Sequence, residues 1–409
     1  MAERTQCAVV GGGPAGMTLG LLLARAGIDV TVLEKHGDFL RDFRGDTVHP
    51  STLRMLDALG LGEAFARLPI RELEQMRIRI GGTTIVIADF RRIPGQHKHI
   101  AMVPQWDFLD LLASAALAEP SFHLRMNCAV TSLRRDPGGR VDGVVYRDET
   151  GVERELAADL TVACDGRGSV VRADAALPVA STPIPMDVWQ VRVPKGESSI
   201  DGEIFGVFGG GRAGVVLDRG DYYHAAYLIE KGTDAQVRAE GLDAFREALG
   251  EMFGWSAQTV SAVRSWDDVK FLRTEMNLLD RWYADGVLCL GDAAHTMSPV
   301  GGVGVNLAVQ DAVAAARMLA GPLRAGGVDE RDLAKVQRRR AWPARVVQRT
   351  QRGEHEMLIR PALAGTLDEQ RLPGGLRAVQ AIPALRGVTA YLGGVGVRTE
   401  PVPEFAVRR

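Results

Sequence analysis

No apolar run in the 409-residue chain approaches the roughly 20 residues that cross a membrane; the stretch Leu19 to Leu23 stops at Arg25. The N-terminus enters a strand-like segment almost at once, leaving no room for a secretory leader, so a cytoplasmic protein with no membrane partner is expected. There are only four cysteines, Cys7, Cys128, Cys164 and Cys289, and no C-x-x-C pair among them. Three sit in or beside apolar, strand-like runs, so they read as small buried hydrophobes in a reducing compartment, and no metal site is expected. A net charge of −2 gives no reason to expect nucleic acid or an anionic membrane as partner. Internal repeats, a P-loop, metal-ligand spacing and a Ser-His-Asp pattern are all absent. What remains is an ordinary globular composition, 46% hydrophobic and 24% charged, on a chain long enough for two cores.

The organising stretch is residues 6–34. An apolar run from Cys7 to Val10 is followed by Gly11, Gly13 and Gly16 in the spacing G-x-G-x-x-G, with Pro14 and Ala15 between them. An apolar-faced helix to about Ala26, a second strand from Asp29 to Leu33 and then Glu34 complete the unit. Gly11 permits the tight turn, Gly13 lets the backbone approach a pyrophosphate, and Gly16 lets the helix pack on the strands. The helix N-terminus holds the diphosphate, and Glu34 is placed to accept from a ribose diol. The unit predicts an ADP-containing dinucleotide and a Rossmann-type α/β fold.

Further along, 50–61 reads as a helix, 76–90 as a hairpin about Gly81–Gly82, 91–99 as a basic loop, and 106–120 as a helix. Residues 122–164 look like several strands, ending on the buried run that delivers Asp165 and Gly166. Residues 184–230 alternate like antiparallel strands, and an amphipathic helix covers 234–252. The α/β pattern resumes with a strand at 286–290 and a helix at 306–319. A long helix over 328–358 follows, with Pro343 marking a kink or break; its basic stretch from Lys335 to Arg352 reads as a solvated face. Gly209, Gly211 and Gly214 repeat the G-x-G-x-x-G spacing, but Val215 to Asp218 after them is a strand. Without a helix N-terminus there is no phosphate site, so a hairpin turn is expected there.

Two more signatures fall at strand ends: Asp165-Gly166-Arg-Gly-Ser169-Val-Val-Arg172, and Gly291-Asp292-Ala-Ala-His295 continuing through Pro299 to Gly304-Val305-Asn306. The second sets a carboxylate at a strand end and a glycine-rich turn before a helix. These three motifs, in this order, resemble those of the class A FAD-dependent aromatic monooxygenases related to p-hydroxybenzoate hydroxylase, over about residues 5–350. That resemblance implies a discontinuous FAD-binding domain (1–75, 100–180 and 275–350), an antiparallel-sheet substrate domain (76–99 and 181–274) and a C-terminal helical packing segment (351–409). It implies that the Gly11–Gly16 loop holds the FAD pyrophosphate, with Glu34 and Lys35 at the adenosine ribose. Arg44 would touch flavin and pyridine nucleotide, and Gln105 the FAD backbone. Val130 would meet the adenine, Asp165 and Gly166 would serve both nucleotides, and Gly291 and Asp292 the ribitol. Pro299 and Gly304 to Asn306 would line the ring.

By the same resemblance, NADH or NADPH reduces FAD, O2 forms a flavin C4a-hydroperoxide, and an electron-rich small molecule takes the distal oxygen. An aromatic or polyketide-like substrate is hydroxylated or epoxidised; the alternative is an NAD(P)H-dependent reductase of the same fold that inserts no oxygen. The halogenase stretch W-x-W-x-I-P is matched only by Trp189 to Pro194, which lacks the second Trp. Residues open as substrate contacts are His97, Trp189, Arg192 and Tyr222, with Trp189 and Arg192 on opposite faces of a strand. No catalytic residue stands out; Arg44, His295 and Pro299 are the candidates. His295 either sits near the flavin or orders the glycine turn. A monomer or homodimer is expected.

Overall fold

β1 (Glu3–Val10), α1 (Pro14–Arg25) and β2 (Val30–Leu33) follow one another as the periodicity predicts. The computed structural model describes residues 3–40, 47–195 and 204–408. The chain then lays down α2 (Pro50–Ala58), β3 (Gln75–Ile80), β4 (Thr83–Asp89), α3 (Gln105–Leu117), β5 (Phe122–Arg125), β6 (Ala129–Arg135), β7 (Val141–Arg147) and β8 (Glu153–Ala163). Next come β9 (Met186–Pro194), β10 (Ile204–Gly209), β11 (Arg212–Asp218), β12 (Tyr222–Glu230), α4 (Leu242–Phe253), β13 (Lys270–Leu272) and β14 (Val287–Cys289). The last long elements are α5 (Gly304–Arg324), α6 (Glu330–Glu354) and α7 (Pro383–Gly394).

One sheet runs β14-β8-β1-β2-β5, all neighbours parallel, although the strands come from residues far apart in sequence. Its central strands are buried on both faces, which is why they read as unbroken apolar runs and not as alternating ones. α1 packs between this sheet and α5, whose most apolar stretch is 72% buried in the fold. α5 is thus apolar enough to cross a membrane by composition, and that apolarity is spent in the core.

The second large sheet runs β13-β9-β12-β11-β10-β3-β4. It is antiparallel except where β10 lies parallel to β3. Alternation divides it cleanly. Trp189, Val191, Val193, Tyr223 and Ala225 point to an outer face covered by α4 through Phe245, Leu249 and Phe253. Met186, Val188, Ala213 and Leu228 point to an inner face, where they join Ile359 and Ala362 from beyond α6. Val300, from the glycine-rich turn before α5, packs against that same inner cluster, as do Val215 and Ala226.

The Gly209–Gly211 stretch is the hairpin turn between β10 and β11, all three glycines having positive φ. Three helix boundaries differ from expectation. The 234–252 segment is two helices, interrupted at Gly241 with φ +98. α5 extends beyond the expected ends, running through Pro322. α6 is unbroken through Pro343 and passes into a π-helical turn, His355–Ile359.

Candidate functional site

The three sequence signatures meet at the carboxyl ends of the parallel strands. A Cβ on Gly11, whose φ is +100, would lie 2.5 Å from the Cys164 carbonyl oxygen, so the first motif is pressed against the second. A Cβ on Gly16 would lie 1.9 Å from the Gly11 carbonyl oxygen, a contact that glycine alone permits. The Leu290 N–H donates to the Ala163 oxygen at 2.9 Å, and Gly291 packs between Ala15 and Ala308. The first motif, Asp165 and Asp292 therefore border one cradle.

Its chemistry is that of an anion and polyol site. No side chain caps the N-terminus of α1 at Gly13, and a Cβ there would meet nothing within 4 Å. Glu34, almost fully buried, accepts from the Gly12 N–H at 2.8 Å and from the His36 N–H at 3.1 Å. The Cys128 N–H donates to the Glu34 carbonyl at 2.8 Å, which brings Val130 on β6 to the same edge. Lys35 beside it is exposed. Asp165 accepts from the Val170 and Val171 N–H groups at 2.8 and 3.3 Å through Oδ2, and burial raises its pKa. Its Oδ1 is buried with no partner among the described residues. A buried carboxylate oxygen left open costs free energy unless a ligand hydroxyl or N–H completes it. An open glycine cradle at a helix N-terminus and an orphaned acceptor beside it fit FAD.

Beyond the cradle, Pro299 is exposed and begins a turn in which Gly301 and Gly302 have φ +80 and +62. Gly304 opens α5, and no side chain caps that helix either. Val305 is half-buried, while buried Asn306 accepts from Ser51 Oγ at 2.7 Å and Thr52 Oγ1 at 2.8 Å, tying α5 to the start of α2. Gln105 is buried at the start of α3. Arg44 lies outside the described residues.

A family profile described as "FAD binding domain" matches residues 4–350. The chain is 32% identical over 396 residues to the 6-methylpretetramide 4-monooxygenase of Streptomyces rimosus, covering 94% of this chain and 91% of that one. The chain belongs to the class A FAD-dependent aromatic monooxygenase family. Its cofactor is FAD and it is an oxidoreductase. Among solved structures, the OxyS anhydrotetracycline hydroxylase of Streptomyces rimosus is 25% identical with a TM-score of 0.74, over 97% of this chain and 77% of that one. The p-nitrophenol 4-monooxygenase PnpA of Pseudomonas putida shares the fold at 20% identity and a TM-score of 0.77, over 97% of this chain and 100% of that one.

One expected substrate contact is corrected by the geometry. Trp189 is fully buried on the outer face of its sheet. Its indole N–H donates to Asp234 Oδ1 at 2.7 Å, and its ring packs 5.0 Å from Phe245 and 5.1 Å from Trp266. It is core. His97, on the basic loop, pairs with Asp57 on α2 at 2.5 Å. Arg192 and Tyr222 are different: they lie on the opposite, inner face, with the Arg192 guanidinium 5.4 Å from the Tyr222 ring centroid and His224 across from Arg192 in register.

Sequence reasoning missed one whole wall. Gln351 of α6 donates through Nε2 to the carbonyl oxygens of Ser298 and Val300 and accepts from the Ser298 N–H. Ser298 Oγ is hydrogen-bonded to His355 Nε2 at 2.9 Å, and Gln348 donates to the Asn277 and Thr296 carbonyls. The available signal is the stripe Arg340, Ala344, Gln348, Gln351, His355, spaced 4, 4, 3 and 4, all buried within a helix read from its charge as solvated. Arg340 corrects that reading outright: it is 1% exposed.

Proposed function

We propose that the protein oxygenates an aromatic, polyketide-like small molecule, using NAD(P)H and O2, and that it does so in the cytoplasm as a monomer or homodimer. The observation that carries this is the placement of Val300. The turn before α5 packs against the inner face of the antiparallel sheet, so a substrate lying on that face abuts the segment that lines the flavin ring. The 91% coverage of a curated monooxygenase named for a polyketide substrate supports the same reading.

When bound, FAD supplies hydride acceptance from NAD(P)H and activation of O2. The chain's own residues have simpler work. The N-terminus of α1 and the Gly11–Gly16 loop hold the diphosphate; Glu34 takes the ribose diol; Asp165 and Asp292 accept from the remaining hydroxyls. The uncapped N-terminus of α5 would turn positive potential toward a flavin ring held there, which would favour negative charge on it. Gln351 keeps the turn before α5 in place by fixing Ser298 and Val300. Arg192, Tyr222 and His224 present donors and an aromatic face to a phenolic or enolic substrate, and Val215, Ala226 and Val300 keep water from the reacting carbon.

The test is oxygenation under isotopically labelled dioxygen with a panel of polycyclic phenols. One labelled atom in the product per NAD(P)H consumed is expected. Quantitative H2O2 with every member of the panel, and no acceleration of NAD(P)H oxidation by any of them, overturns oxygenation in favour of a reductase.

A further inference from the structure

The turn that carries Asp292 rests on a chain of buried charges reaching the far C-terminal segment. Asp311, two turns into α5, is completely buried. A carboxylate in that position costs several kcal/mol unless it is fully paired. Burial pushes its pKa up, and His295 and Arg340 outweigh that effect, holding it below the usual range. Its donors are informative. His295 Nε2 lies 2.5 Å from Oδ2, the Gly291 N–H donates to the same oxygen at 3.3 Å, and Arg340 Nε donates to Oδ1 at 2.8 Å. Gly291 and His295 flank Asp292, so one carboxylate grips both ends of its turn.

Arg340 is also buried, and its Nη1 donates to the Arg398 carbonyl at 3.0 Å and to Glu400 Oε1 at 3.1 Å. Glu400 further accepts from Arg339 Nε and Arg317 Nη2, each at 2.6 Å, and its N–H donates to Gln310 Oε1 at 2.6 Å. Arg317 and Gln310 stand on α5, beside Asp311. Residues 398–400 thus close a loop: α5 to the Asp292 turn, α5 to α6, and both helices to the C-terminal segment. His295 packs 5.0 Å from the Trp282 ring, which limits its rotation.

We propose that Asp311, His295, Arg340 and Glu400 are positioning residues for FAD, acting through the Asp292 turn, and that the 398–400 segment is part of the cofactor site although it touches no motif in it. This rests on the assignment of Asp292 as a flavin ligand. Charged networks that must all be satisfied at once have discrete arrangements, so loosening one end is felt at the other.

The experiment measures FAD affinity of the apoprotein by quenching of flavin fluorescence, with the thermal midpoint of each apoprotein alongside. Glu400→Gln is the gentlest change, Arg340→Met and Asp311→Asn the stronger ones, and Asp292→Ala the reference. Phe245→Leu, in the outer layer away from FAD, is the stability control. The expected result is at least a fivefold weaker FAD Kd in Glu400→Gln, larger than in a control of matched thermal midpoint. The double variant with Asp292→Ala should fall short of the product of the two single effects, because both act at one turn. An unchanged Kd in Glu400→Gln, or a loss no larger than that of the control, overturns the proposal, as does full multiplicativity with Asp292→Ala. If Asp292→Ala itself leaves the Kd unchanged, the flavin-ligand assignment fails instead. If Arg340→Met and Asp311→Asn do not fold, Glu400→Gln decides alone.

Discussion

Gln351 Nε2 donates to two carbonyl oxygens, Ser298 at 2.9 Å and Val300 at 2.8 Å, so a single amide on α6 sets the path of the turn before α5. Replacing it by Leu keeps the bulk and strands both acceptors in a buried place. A loss of about 2–4 kcal/mol in stability is expected, together with weaker FAD binding, read by denaturant unfolding and flavin titration. Unaltered FAD affinity would separate this helix from the cofactor site.

Gly13 allows the opposite experiment. Its backbone is extended, with φ −75, and a Cβ would meet no protein atom within 4 Å. Gly13→Ala should therefore fold normally, with stability changed by less than about 1 kcal/mol, while FAD affinity falls tenfold or more because the methyl occupies the diphosphate's place. Gly16→Ala should instead destabilise the apoprotein, since its Cβ collides with backbone. Comparing the two thermal midpoints checks both claims.

The two faces of β9 predict contrasting kinetics. Trp189→Ala empties a packed aromatic cluster and should cost about 3–5 kcal/mol of stability. Arg192→Ala, at an exposed residue of the inner face, should change stability by no more than about 0.5 kcal/mol and raise the KM for substrate. A Trp189 variant with wild-type stability would place the outer face wrongly.

Glu354, at the end of α6, has its carboxyl pushed from 4.5 to about 7 by burial. The fold therefore favours the neutral acid. Stability from this group is greatest below the unfolded value, declines as pH rises from 4.5 to about 7, and is level above that. The full change is at most about 3 kcal/mol. Thermal midpoints measured from pH 5 to 8 should fall in the wild type and fall less in Glu354→Gln; parallel curves would remove Glu354 from the account.

The cofactor motifs were legible because each is local. Tight turns, uncapped helix starts and strand-end carboxylates leave their mark within a dozen residues, as at Gly11–Gly16 and Gly291–Asp292. The hairpin at Gly209–Gly211 was legible for the same reason, by what followed it. The face of β9 was not, since alternation separates Trp189 from Arg192 but does not say which layer covers which. Nor was the role of α6. Its arginines dominate the composition, while the residues that matter are the neutral ones at the spacing of one helix face, and Arg340 is buried only because Asp311 and Glu400 arrive from elsewhere. The outcome at Trp189 has the same origin: its indole is claimed by a partner, Asp234, remote in sequence.

The parallel sheet draws neighbouring strands from Glu3–Val10, Glu153–Ala163 and Val287–Cys289, and residues 398–400 bolt the helices behind it. The glycine loop of residues 11–16 therefore has its surroundings only once Glu153–Ala163 has paired with β1 and Val287–Cys289 has paired with β8. Such distant pairings close slowly. The motif is written in a dozen consecutive residues, but the pocket around it is a product of strands and helices that meet only in the folded chain.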